Sequence, residues 1–235
     1  MNADELKIAQ DNITEEIYEY GIYKLHYEWD KIGAIADGVS DINAYLKTSP
    51  KVMWVLKEAY DENDGGYSMP KDIKNKCDEE IAEIIREGRI ATYRNIIYTM
   101  EGIRNNTTRE EMDDYSKLCS HMRDIAYINI NKMPAKYGTR SNADMTELYL
   151  QWKSITLKQI ALYEPDVIIF GNTFEYFQND NAFENLTDIG RTDDGTAILY
   201  TRRNQILINA YHPSSFCYSQ INSIVKAICN LFPQK

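Results

Sequence analysis

Paired cysteines, long apolar runs, glycine-rich phosphate loops and an excess of positive charge are all missing from this sequence, and each absence removes a class of protein. The four cysteines, Cys77, Cys119, Cys217 and Cys229, lie far apart with no C-x-x-C pair. That excludes a zinc ribbon and predicts ordinary reduced thiols. No apolar stretch approaches the length of a bilayer span, so no membrane partner is expected. The opening Met1-Asn2-Ala3-Asp4-Glu5 lacks the basic-then-apolar order of a signal peptide, and a cytoplasmic location is the expectation. Neither G-x-S-x-G, nor a P-loop, nor G-x-G-x-x-G occurs. Lys and Arg number 26 against 36 Asp and Glu, a formal charge of −10. Broad, non-specific binding to nucleic acid depends on phosphate neutralisation and is disfavoured, although a local basic surface on an acidic body is compatible with that total.

What remains is ordinary in bulk: 43% hydrophobic and 26% charged over 235 residues. That composition and length fit one soluble domain, 1–235, with a sizeable core. Residues 1–48 read as helical. Ile13 to Tyr27 carries apolar and aromatic side chains at helical spacing behind an acidic Thr14-Glu15-Glu16 start, and Asp41 to Lys47 forms a second short helix ending at Ser49-Pro50. Lys51 to Leu56 is a nearly continuous apolar run of strand length, the pattern of a strand covered on both faces.

Residues 71–103 predict two helices divided at Gly88, and Glu110 to Ser120 another. Ile125 to Ile130 reads as a second buried strand. Thr146 to Tyr163 repeats Leu148, Trp152, Ile155, Ile160 and Leu162 at helical spacing. Val167 to Phe170 is a third strand, followed by Gly171-Asn172-Thr173 and a short helix. Ala197 to Thr201 reads as an edge strand, Ile206 to Ala210 as the fourth core strand, and Ser219 to Leu231 as a closing helix. Strands alternating with helices predict a three-layer α/β/α domain with a mainly parallel, four-stranded central sheet, 1–48 being a helical elaboration on a 50–232 core.

Open α/β sheets bind ligands outside the carboxyl ends of their strands. Here those ends carry Glu58, Asn129, Gly171-Asn172 and His212-Pro213-Ser214-Ser215. A solvated acid, a turn asparagine, a helix-start glycine and a core histidine would each be unremarkable. A carboxylate, an amide, a glycine permitting close approach and an imidazole along one rim together predict a functional cleft.

These motifs, in this order, resemble the uracil-DNA glycosylase superfamily, especially its branches with glutamate in the first motif. That motif, a strand followed by Gly-Glu-Ala-Pro-Gly, is matched by Val55-Leu56-Lys57-Glu58-Ala59-Tyr60-Asp61. A second strand ending in Asn and followed by Lys is matched by Tyr127-Ile128-Asn129-Ile130-Asn131-Lys132-Met133-Pro134. A helix ending in Leu-x-x-x-Pro and a strand ending in Gly are matched within Leu157 to Gly171, and a closing His-Pro-Ser by His212-Pro213-Ser214. The similarity spans about residues 50–232. It departs from the family at Lys57, Tyr60 and Asp61, and Asp61, Glu62 and Asp64 make the loop acidic. The iron–sulfur cysteines of one branch are absent from the expected places, so neither a cluster nor any other cofactor is expected. The loop's likeness to a calcium site fails at Gly65 and Asp72, and no metal is expected.

The resemblance implies hydrolysis of an N-glycosidic bond in DNA, with Glu58 and His212 catalytic. Asn129 would read the base edge, and Tyr60 or Tyr67 would stack on a flipped base. Gly171, Asn172, Ser214 and Ser215 would line the nucleotide, the two hydroxyls beside its phosphate. Lys132, Lys136 and Arg140 would contact DNA, with Arg191, Arg202 and Arg203 as a second basic group. The acidic total and altered first motif keep an alternative open: an inactive or repurposed binding module for a nucleotide or a protein. Hydrolysis of a free nucleoside or nucleotide is a third reading, since it needs no basic track.

Overall fold

The computed structural model describes residues 1–23, 33–61, 64–135, 142–179 and 182–232. The strands are β1 (Gly38–Val39), β2 (Val52–Leu56), β3 (Ala126–Asn129), β4 (Val167–Gly171), β5 (Thr187–Arg191), β6 (Ile198–Arg202) and β7 (Gln205–Ala210). They form one mixed sheet in the order β1-β3-β2-β4-β7-β6-β5. The central four, β3, β2, β4 and β7, are parallel. β1 joins antiparallel on one side, and β6 then β5 extend the other side antiparallel. The sheet therefore has seven strands rather than four, and the 197–201 strand is not its edge.

The helices are α1 (Ala3–Tyr23), α2 (Ile42–Lys47), α3 (Met69–Lys74), α4 (Asp78–Glu87), α5 (Ala91–Asn105), α6 (Asn142–Tyr163), α7 (Phe174–Asn179) and α8 (Tyr218–Leu231). They cover both faces. Val52, Trp54 and Leu56 pack with α4, α5 and α8, while Met53 and Val55 pack with α2, α6 and α7. This two-sided burial is why β2 and β4 read as unbroken apolar runs. Each large apolar side chain so buried contributes about 1.5–3 kcal/mol.

Three local readings change. Residues 1–48 include β1, and α1 starts at Ala3, ahead of the Ile13 periodicity. Residues 71–103 hold three helical pieces, because Cys77 starts a new helix and Gly88 ends it. Over 110–120 there is no α-helix but a series of 3-10 turns. Asp114 accepts the Ser116 N–H, a local bond that competes with helical pairing. β5 escapes sequence detection because all five of its residues are exposed and carry no alternation.

For function the key is register. Leu56 lies level with Asn129, Val55 with Phe170, and Gly171 with Ala210. The four parallel strands therefore end together, and the residues just beyond them are delivered to one edge.

Candidate active site

That edge opens on a cavity of about 430 Å³. Lys57, Glu58, Ala59 and Tyr60 enter its wall from the end of β2, Asn172 from β4, and His212 and Ser214 from β7. Tyr67, Tyr93 and Tyr127 supply aromatic surface, and Ile90 and Thr92 come from the start of α5. The rings of Tyr93 and Tyr127 meet edge-on at 5.9 Å. Burial, with Asp61 and Asp72 nearby, pushes the Tyr67 phenol up to about 12. Burial raises Tyr93 and Tyr127 as well, so all three stay neutral at physiological pH.

Glu58 is oriented from behind. Its Oε2 accepts from Asn131 Nδ2 at 2.9 Å. Asn131 is fully buried. Its Oδ1 accepts the Met133 N–H at 3.0 Å, and its Nδ2 also reaches the Met133 carbonyl at 3.2 Å.

His212 precedes a 3-10 turn, Pro213–Ser215. The Ser214 N–H, at 3.3 Å, and its hydroxyl, at 2.8 Å, converge on His212 Nδ1. A backbone N–H can only donate, so Nδ1 is an acceptor and the neutral ring carries its proton on Nε2. Burial, and then the charge of Lys57, hold the imidazole below its ordinary value and so neutral near pH 7. The turn itself is braced by buried Asn95 on α5, whose Nδ2 donates to the carbonyls of Pro213 at 2.7 Å and Phe216 at 3.3 Å. The chemistry available is thus a fixed carboxylate and a neutral N–H donor in one aromatic-walled cleft.

Glu58, Tyr60, Tyr67, Asn172, Ser214 and His212 are brought together as expected from their strand-end positions. The other candidates are not. Asn129 is 1% exposed and absent from the cavity wall. Its backbone N–H donates to Asp37 at 2.6 Å, its Nδ2 lies 3.9 Å from Met69 Sδ, and its Oδ1 has no hydrogen-bond partner among the described residues. Gly171 is also buried behind the wall. A Cβ there would strike Leu56 and Pro213, so the glycine serves the packing of the strand end against the histidine turn. Ser215 donates to the His212 carbonyl at 2.7 Å and braces the turn from outside the cavity.

Lys132 corrects the basic-rim expectation most sharply. Its ammonium is buried and bonds Asp37 at 2.8 and 2.9 Å, the Asn129 carbonyl at 2.7 Å and Gln159 at 2.7 Å. Burial pulls its pKa down while Asp37 favours its charged form. It is an interior tether and no DNA contact. Lys136 and Arg140 lie outside the described residues. Arg202 pairs with Gln205, at the start of β7, so Arg202 and the adjacent Arg203 sit at the end of the sheet opposite the cavity. Arg191, paired with Ile198 and through it level with Asn209, is nearer the cavity end but two strands away.

Lys57, Asn131, Asn95, Tyr93 and Tyr127 were not singled out from sequence. Lys57, Tyr127 and Asn131 stood inside the motifs, and the other two offered no local signal. All four cysteines are free thiols. Among the described residues, no helix is long and apolar enough to cross a membrane. No model of a known protein family and no curated protein matches the chain.

Proposed function

We propose that the chain is a DNA glycosylase of the uracil-DNA glycosylase kind, hydrolysing the N-glycosidic bond of uracil or another altered base. The observation that carries this is the meeting of Glu58 and His212, remote in sequence, in one tyrosine-lined cavity at the carboxyl edge of the parallel strands. In the proposed reaction the C1′–N bond breaks as a water oxygen bonds to C1′. Glu58 orients that water, takes its proton and stabilises the positive charge developing on the sugar. The bonding electron pair leaves with the base, and His212 Nε2–H donates to the oxygen where the charge accumulates. A neutral imidazole suits this role because it donates without needing to be recharged between turnovers. Tyr60 or Tyr67 stacks on the flipped base, as every base has a π-face.

The test is purified protein with uracil-, hypoxanthine- and xanthine-containing oligonucleotides, scored for abasic sites. Wild type is expected to produce them. Glu58→Gln and His212→Ala are expected to slow the reaction about 10²–10⁴-fold with the fold intact. Equal cleavage by both variants and wild type would overturn the assigned roles.

A second reading is favoured by Asn129, which lies outside the cavity wall and so reads no base edge as it stands, and by the net charge of −10. In it the cleft binds a nucleotide or protein partner without cleaving. Protein that binds a nucleotide and leaves every oligonucleotide intact would establish it.

A further inference from the structure

We infer that Asn131 is the positioning residue for Glu58, holding the carboxylate in its working orientation through an amide hydrogen bond. The inference rests on the hydrolytic reading above and adds a residue to its machinery.

Asn131 has little freedom of its own. It is fully buried, and its amide orientation is set by its partners. The Met133 N–H can only donate, so Asn131 Oδ1 must be the atom that receives it. Nδ2 is then the atom facing Glu58, and its two hydrogens go to Glu58 Oε2 and the Met133 carbonyl. The backbone is pinned too, since Asn131 N–H donates to the Lys57 carbonyl at 2.9 Å. The next residue, Lys132, is locked into Asp37 and Gln159. Asn131 therefore approaches Glu58 as a rigid donor mounted on a rigid turn. A flexible glutamate so held loses its freedom to swing, which is what a water-orienting group requires.

Two measurements on the full-length protein test this. The first is the Asn131 side-chain amide resonance by NMR in wild type and in Glu58→Ala. It is expected to shift on loss of the acceptor. An unmoved resonance overturns the inference, whatever the protein cleaves.

The second is a double-mutant cycle on a uracil-containing oligonucleotide. Asn131→Leu is expected to lower kcat about 10²-fold with KM within about twofold. In a Glu58→Gln background the same change should cost nothing further, because Asn131 acts only through Glu58. Equal losses in both backgrounds would overturn the inference and assign Asn131 a purely structural role. Asn131→Asp keeps the acceptor for the Met133 N–H and serves if the leucine variant fails to fold. It should show the same dependence on Glu58. A wild type that cleaves nothing while its Asn131 resonance responds to Glu58→Ala would overturn the hydrolytic reading and the catalytic sense of the inference, leaving only the hydrogen bond.

Discussion

Lys57 and His212 line the same cavity, and after burial the lysine's charge is the second force keeping the imidazole neutral. The cation is supplied by Lys57, which directly follows β2. Replacing it with methionine should raise the His212 pKa while leaving it below 6.5, since burial, the larger cause, remains. Titrating the three histidines by NMR, with His212→Ala for assignment, measures the change. A His212 titration identical in wild type and Lys57→Met would show that the two groups do not communicate.

A different pH dependence comes from His121. It lies 2.7 Å from Glu101 and 3.8 Å from Asp124, and Arg104 lies 3.4 Å from the same aspartate. Burial pulls the imidazole down, but Asp124 and Glu101 outweigh it, and its folded value rises above 6.5. A folded pKa above the unfolded one adds stability that is complete below the unfolded value and is lost as pH climbs through the folded value. Urea unfolding of wild type and His121→Gln between about pH 5.5 and about pH 8.5 should therefore give a gap that narrows with rising pH. A gap that widens would contradict the assignment.

Breaking the Lys132–Asp37 pair should be costly. Lys132→Met leaves a buried carboxylate without its cation, at about 3–5 kcal/mol by denaturant titration. Adding Asp37→Asn should recover part of that loss, because the stranded charge goes while the amide still accepts from Asn129 N–H. If the single variant were as stable as wild type, the lysine would not be buried as described.

Gly171→Ala should destabilise by about 1–3 kcal/mol, since the new methyl meets Leu56 and Pro213. The displaced turn carries His212, so cleavage should fall more than stability alone accounts for. Thermal melting and activity on the same sample separate the two effects.

Tyr60 is 62% exposed, so Tyr60→Ala should leave stability within about 0.5 kcal/mol. Loss of stacking should weaken nucleotide binding by about 1–3 kcal/mol. Unchanged affinity would remove Tyr60 from the site.

The central strands and the rim were legible because two-sided burial writes unbroken apolar runs, and the residues just past the end of such a run arrive at the ligand edge. Side-chain direction beyond the strand was not legible. Asn129 and Asn131 are two apart and share a side of an extended chain. The strand ends at Asn129, and the consecutive Ile130 and Asn131 N–H groups both bond toward the end of β2, so the alternation breaks there: Asn131 reaches Glu58 while Asn129 lies against Met69. Lys132 looked like a surface cation because its partner, Asp37, lies far back in a segment read as helical. Its signal was the acid directly after Ala34-Ile35-Ala36. Asn95 could not be found at all, as nothing in a helical asparagine announces that it holds a distant turn.

The strand order β3-β2-β4-β7 also dictates how the cavity comes into being. β2 sits between β3 and β4, and helices separate it in sequence from both, so no short hairpin can seed these ladders. Parallel pairings of this kind close long loops before they gain any contact, which makes them slow to form. Glu58, Asn131, Asn172 and His212 become neighbours only when all four strands have docked. During refolding, helical signal should therefore return well before ligand binding does, and a half-assembled sheet should have no chemistry to offer.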